Sequence, residues 1–250
     1  MRDDSDEDRG WNRLDIIDVR GPIAVIGDIH GRADLLACLL KKLGTMPVFV
    51  VGDVNDRGPD TKLVIELLVE REARGVRGNH EEWLCRFADG GGFDTLALNP
   101  MFGGAATLKS YGIEGRSPRE VEEQFRRIPR DHRAWLLSLP VALRIVIDGA
   151  PFWIAHAGVS ASLCAGIDPI PRMSEIAEKE YFDLLWRGQE PKDMDELDGP
   201  VVYGHVPRQE PIDAGHAIGI DTGCGVRPNG KLTAVILPAR RFVSVGDEDL

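Results

Sequence analysis

Residues 23–31, Ile23-Ala24-Val25-Ile26-Gly27-Asp28-Ile29-His30-Gly31, decide the fold class of this 250-residue chain. The apolar run Ile23 to Ile26 reads as a buried strand. It delivers a carboxylate and an imidazole just past the strand's carboxyl end. In open α/β sheets, that edge is where ligands and catalytic groups gather. Gly27 and Gly31 let the backbone turn sharply and come close to something small. Alone, Asp-x-His would suit a polar turn equally well. Four fragments downstream repeat the grammar of an apolar strand followed by Asp, Asn or His beside Gly, and that repetition carries the interpretation.

Outward from this strand, residues 32–44 place Leu35, Leu36, Leu39, Leu40 and Leu43 at helical spacing, with Gly44 as the C-cap. A second strand over 46–51 delivers Gly52-Asp53-Val54-Asn55-Asp56-Arg57-Gly58, after which Pro59 opens a helix running to about residue 74. A short strand around Val76 delivers Gly78-Asn79-His80-Glu81. Two successive strand–helix–strand crossovers build a parallel sheet. Residues 81–140 read as mostly helical, over 82–88, around Leu108, over 117–128 and over 130–139, with Gly90-Gly91-Gly92 as a break. Beyond its opening residues this region ties to no chemistry and is expected to be a covering layer.

From Val141 the pattern changes to strands. Residues 141–147 and 151–155 pair as a hairpin through Asp148-Gly149, leading into His156-Ala157-Gly158. An amphipathic helix over 173–186 is followed by Arg187. Strands over 201–203, before Gly204-His205, over 217–220, before Asp221-Thr222-Gly223, and over 232–237 and 242–245 complete the chain. The state of Leu14, Ile16, Ile17 and Val19 is left open by their spacing. The expected fold is a two-sheet α/β sandwich flanked by helices, with a parallel first half and a more antiparallel second half.

Composition narrows the function. A hydrophobic fraction of 43% and a charged fraction of 28% are those of an ordinary soluble globular protein. Residues 11–250 are expected to form one domain, preceded by an acidic, solvated tail over 1–10 with Asp3, Asp4, Asp6, Glu7 and Asp8. The start lacks the apolar core of a signal peptide, and no segment approaches the roughly 18 apolar residues of a membrane span. The four cysteines, Cys38, Cys85, Cys164 and Cys224, have no CxxC spacing and read as reduced thiols of a cytoplasmic protein. A formal charge of −11 argues against nucleic acid as a partner. An anionic substrate must therefore be drawn in by local positive charge.

The strand-end residues are Asp28, His30, Asp53, Asn79, His156 and His205. Two carboxylates, an amide and three imidazoles suit Mn²⁺, Fe or Zn²⁺ better than a closed structural zinc site, with Mn²⁺ preferred. Six donors exceed what one ion takes while keeping room for water. Two divalent ions about 3.5–4 Å apart, bridged by a carboxylate, are the simplest solution and serve phosphoester hydrolysis. With a bridging hydroxide as nucleophile the centre keeps net positive charge, which favours phosphate. Arg57 offers a fixed fork of donors for phosphate oxygens, and Arg187 is a second candidate. His80, next to Asn79, should lie at the rim, where it could protonate a leaving alkoxide while Asp56 holds the imidazole. His132 and His216 have no comparable setting, and Asp221-Thr222-Gly223 and Cys224 read as structural.

The fragments at 27–31, 52–58 and 78–81 resemble the three signature motifs of the phosphoprotein phosphatase family of calcineurin-like metallophosphoesterases. His156-Ala157-Gly158 and Gly204-His205 resemble its two later metal-binding motifs, so the match spans 27–205. The short chain is similar to bacterial and phage members. The resemblance implies Asp28, His30 and Asp53 on one metal, and Asp53, Asn79, His156 and His205 on the other. It also implies Arg57 and Arg187 as phosphate binders and His80, paired with Asp56, as the acid. Asn55 departs from the family, which commonly has an apolar residue there. The expected activity is dephosphorylation of phosphoserine and phosphothreonine in proteins, favoured by Glu81 and the Asp56-Arg57 pair. The competing activities are symmetrical hydrolysis of diadenosine tetraphosphate and, without catalysis, phosphopeptide binding.

Overall fold

Strand β2 (Ile23–Ile26) is fully buried on both faces, with Ile23 and Val25 in one apolar cluster and Ala24 and Ile26 in another. A strand covered on both sides reads as a continuous apolar run, which is why this stretch is so legible. In the computed structural model, which describes residues 14–159, 178–187 and 197–250, β2 lies in the middle of a five-stranded sheet. It pairs in parallel with β3 (Val48–Val50), and β3 pairs in parallel with β4 (Arg74–Gly75). On its other side β2 meets β10 (Leu232–Leu237) antiparallel, and β10 carries β11 (Arg241–Val245) at the edge.

The second sheet has the order β1 (Leu14–Val19), β5 (Ala142–Ile147), β6 (Ala150–Ala155), β7 (Val201–Tyr203), β9 (Ala217–Gly219), β8 (Ile212–Asp213). The two sheets face each other across Val25, Phe49, Ile145, Ile154, Val202 and Val235. Helices α1 (Ala33–Leu43), α2 (Thr61–Glu70), α3 (Glu81–Ala88), α4 (Gly104–Ser110) and α6 (Arg130–Ser138) cover the outer face of the five-stranded sheet, with the short α5 (Pro118–Glu122) beside them. Leu35, Leu36 and Leu39 on α1 and Ile65 and Leu68 on α2 are fully buried there. Each contributes about 1.5–3 kcal/mol of transfer free energy. Helix α7 (Glu178–Trp186) covers the other sheet, with Leu184 against Trp153, Val201 and Tyr203.

The sandwich matches expectation, with informative differences. Chain halves do not map onto sheets: β1 joins the six-stranded sheet and the C-terminal β10 and β11 join the five-stranded one. The six-stranded sheet is mixed, since β6–β7 and β7–β9 are parallel. Strand β1 pairs with β5 from Leu14↔Ala142 to Val19↔Ile147, packing Ile17 and Val19 inward and leaving Ile16 exposed. Pro59 precedes α2 without opening it; Asp60 is the N-cap, accepting the Leu63 N–H at 3.2 Å. That helix stops at Glu70 because Glu72 turns to a φ of +51° and the chain re-enters the sheet at Arg74. The helix expected over 117–128 divides into α5 and a 3₁₀ turn, Phe125–Arg127. The hairpin is as expected, with positive φ at Asp148 and Gly149. The expected tail over 1–10 and the start of the 173–186 helix lie outside the described residues. Among the described residues no helix is long and apolar enough to cross a membrane.

Candidate active site

Strands β2, β3 and β4 run parallel, as do β6 and β7, and the loops leaving their carboxyl ends converge. The turns are tight. Among the described residues nine non-glycine positions have positive φ, and five of them, His30, Asp53, Asp56, Arg57 and His205, belong to the expected site. Each such residue costs on the order of 1–3 kcal/mol and persists only where its surroundings over-determine it. Close approach sets the glycines as well: a Cβ on Gly204 would overlap the Asp28 carboxylate, and one on Gly78 would overlap Asp53.

Two backbone carbonyls orient the key imidazoles. His156 Nδ1 lies 2.9 Å from the Val51 carbonyl and His30 Nδ1 lies 3.0 Å from that of Asn55. A carbonyl only accepts, so each Nδ1 carries the proton and each Nε2 turns a lone pair inward. His156 Nε2 then faces Asn79 Oδ1 at 2.9 Å, His205 Nδ1 at 3.1 Å and Asp53 Oδ1 at 3.4 Å. The His205 ring also hydrogen-bonds the Trp186 backbone. Asp53 Oδ2 points the other way, 3.7 Å from His30 Nε2 and 3.9 Å from His80 Nε2. Donor atoms thus form two clusters, His30–Asp53–His80 and Asp53–His156–His205, and Asp53 places one oxygen in each.

Lone pairs crowded this closely repel unless a cation sits among them. Electrostatics agree. Asp28, Asp53, Asp56, Glu81 and Asp221 are all buried here, and buried charges need partners. Burial, aided by Asp221, pushes the Asp28 carboxyl well above the usual carboxylate range, and burial lifts Asp221 to about 6. Burial by itself would lower His156, but the Asp53 charge and hydrogen bond win and lift it to about 10, so the acids around its Nε2 draw positive charge there, a proton until a metal ion replaces it. His205 and His30, where burial dominates, fall to about 4 and about 3. Burial likewise opposes a charge on His80, yet Asp53 and the hydrogen bond to Asp56 raise it above the ordinary imidazole value. The donor chemistry therefore fits divalent metal.

Each expected residue can now be placed. Asp28 accepts the His205 N–H at 3.1 Å and so joins the first and last loops. Asn79 lies between His156 and His205. His80 is buried at 2% exposure and its Nδ1 donates to Asp56 Oδ2 at 2.7 Å, with Nε2 turned to the first cluster. It sits deeper than the rim expected for it. Arg57 reaches in, its Nη1 2.6 Å from His30 Nε2. Arg187 is held at the side: its Nη2 donates to Asp183 Oδ2 at 3.1 Å, one turn back on α7.

Several contributors were not expected. Asp56 is gripped by Trp83 Nε1 at 2.9 Å, Thr107 Oγ1 at 2.7 Å and Asn55 Nδ2 at 2.8 Å, besides His80. The Gly103 carbonyl accepts the Arg57 N–H, and the Phe102 ring stands 5.6 Å from that of His80. The helical middle region is thus part of the site as well as a cover. Asn55, the departure from the family pattern, also donates to the His80 carbonyl at 3.0 Å. Glu81 ties two loops together, accepting the N–H groups of Asp53 and Val54 at 2.8 Å and of Gly78 at 2.7 Å. Its place in the motif was read from the sequence, whereas its tying of the two loops was not; an acid at a helix start two residues after an expected ligand was the available signal. Glu81→Gln places an N–H₂ where only acceptors serve. It should cost about 1.5–3 kcal/mol of stability, read from urea denaturation; an unchanged midpoint would mean that the amides find other acceptors.

Two stacked sheets with paired donor clusters at a common edge, sharing one carboxylate, define a metal-dependent phosphoesterase. The family model described as calcineurin-like phosphoesterase matches residues 21–241. The chain belongs to that family, and its His and Asp clusters fit the family's dinuclear divalent-metal centre. It is similar to the asymmetrical bis(5'-nucleosyl)-tetraphosphatase PrpE of Oceanobacillus iheyensis, 30% identical with 89% of this chain and 91% of that one covered. A crystal structure assigned provisionally to a diadenosine tetraphosphatase superposes with a TM-score of 0.61 at 24% identity, covering 94% of this chain and 98% of that one. A cold-active protein-tyrosine phosphatase from a Shewanella species shares the fold, with a TM-score of 0.60 at 17% identity over 98% of this chain and 83% of its own.

Proposed function

We propose that the chain is a dinuclear-metal hydrolase that cleaves a phosphoanhydride bond of dinucleoside tetraphosphates. The observation that carries the chemistry is Asp53, with one carboxylate oxygen in each donor cluster. The nucleotide substrate is supported by the names of the curated relatives. Asp28, His30 and Asp53 would hold one ion, and Asp53, Asn79, His156 and His205 the other. Bound there, two divalent ions supply Lewis acidity and lower the pKa of water. Arg57 binds and orients the phosphoryl oxygens, and Arg187 joins it on release from its pair with Asp183. His80, charged through Asp56, gives its proton to the departing oxygen.

Phosphoserine and phosphothreonine in proteins make the second reading. Its support is the Asp56–His80 pair, gripped by Trp83, Thr107 and Asn55. Such an acid matters most for an alkoxide, which leaves badly, and less for a phosphate. A binding module without catalysis is disfavoured by the complete donor set.

Purified protein with Mn²⁺, offered diadenosine tetraphosphate and a phosphoserine peptide, separates these readings. Hydrolysis of the nucleotide to adenosine mono- and triphosphate is the expected result. Two diphosphates would mean symmetrical cleavage, and faster turnover of the peptide would overturn the nucleotide reading. Activity should vanish on chelation and return with Mn²⁺ better than with Mg²⁺, because imidazoles suit Mn²⁺ whereas Mg²⁺ prefers oxygen and water. Full turnover after dialysis against chelator would exclude a metal mechanism.

A further inference from the structure

An aromatic ladder leads from the site to solvent. The His80 ring is 5.6 Å from Phe102, and Phe102 stands edge-on to Trp186 at 5.9 Å. Trp186 in turn stacks on Phe182 at 6.1 Å with planes only 13° apart. Trp186 Nε1 donates to Glu82 Oε2 at 3.1 Å, which fixes the indole plane. Phe182 ends the ladder with 56% of its surface exposed, and Met101 beside Phe102 is 77% exposed. Neither the fold nor the hydrolytic chemistry explains why flat apolar rings are presented to water here.

Position supplies the reason. His80 faces the first donor cluster and Phe102 is the ring next to it, so a group projecting from that cluster past His80 meets Phe102. Arg187 follows Trp186 directly, a cation at the same end of α7 whose Nη2 donates to Asp183 Oδ2. A ligand suited to both is flat at one end and anionic at the other. We propose that Phe102, Trp186 and Phe182 form a stacking platform for the purine of the departing nucleotide, with the outer face of Phe182 as its open surface. This rests on the nucleotide reading above and goes beyond it by naming where the base is held. Aromatic stacking tolerates any base, because every base has a π face, so the platform selects nucleotides over base-free polyphosphates without selecting among bases.

The test uses two ligands that share a hydrolysis-resistant P–C–P bridge and differ by a nucleoside: adenosine 5'-(α,β-methylene)diphosphate and methylenediphosphonate. Calorimetric titration of the Mn²⁺-loaded protein should show tighter binding of the nucleoside-bearing one. Phe182→Ala should weaken that ligand about five-fold or more, the lower end for losing one stacking partner, and leave methylenediphosphonate unchanged. Phe182→Trp should restore the difference. Phe182 is more than half exposed, so its removal does not threaten the core. Equal binding of the two ligands by wild type, an unaltered affinity in Phe182→Ala, or a parallel loss for both would overturn the platform. So would a loss confined to phosphoserine peptide binding, which would assign the face to protein. Failure to hydrolyse diadenosine tetraphosphate would instead remove the proposed activity, because the binding comparison does not depend on turnover.

Discussion

Asp53→Asn is expected to reduce turnover by more than about 10²-fold and to leave the purified protein short of metal. Losing even an outer partner of a metal ligand typically costs about 10–100-fold in affinity or activity, and Asp53 serves both clusters directly. Its Oδ1 lies 3.4 Å from His156 Nε2 and its Oδ2 3.7 Å from His30 Nε2. Asparagine offers one oxygen and must turn an N–H₂ towards one cluster or the other. It also removes the negative charge between two cations. The Asp53 Oδ1 position accepts the His80 N–H at 3.1 Å, so the amide oxygen should take that side. The ion on the His30 side is then expected to be lost first. Elemental analysis beside steady-state kinetics checks this. Two ions per chain with near-normal turnover would remove Asp53 as the bridge.

His80→Asn should show a loss graded by how badly the departing oxygen needs a proton. General acid catalysis contributes about 10²–10⁴-fold, and a serine alkoxide should feel a loss of that size. A phosphate leaving group has its second ionisation near pKa about 6 and departs readily as the anion. The loss on diadenosine tetraphosphate, and likewise on an activated aryl phosphate, should therefore be much smaller. Metal content should stay near wild type. Arg57→Ala gives the contrast, since it removes phosphate binding and should hurt all three substrates alike. Equal losses for His80→Asn across the series would mean that His80 binds or positions instead of donating a proton.

Much of the site was legible in the linear chain because its elements are locally encoded. Apolar runs buried on both faces mark β2, β3, β6 and β7, and each polar fragment follows its strand directly. Helix α1 declared itself through five leucines at helical spacing. Strand β1 could not, because an edge strand with one exposed face and a remote partner carries too short a pattern.

Which His and Asp donors gather was therefore readable from sequence, whereas how they are held was decided by tertiary structure alone. The lone pair of His156 depends on the Val51 carbonyl, 105 positions away, and that of His30 on Asn55, 25 away. The grip of Thr107 on Asp56 spans 51 positions. The ladder brings Phe102 of one loop against Trp186 on α7. Periodicity reports only which face of an element is covered. A hydrogen bond between distant loops leaves no period in the chain, so tautomers, bridging geometry and the aromatic path appear only once both sheets have packed.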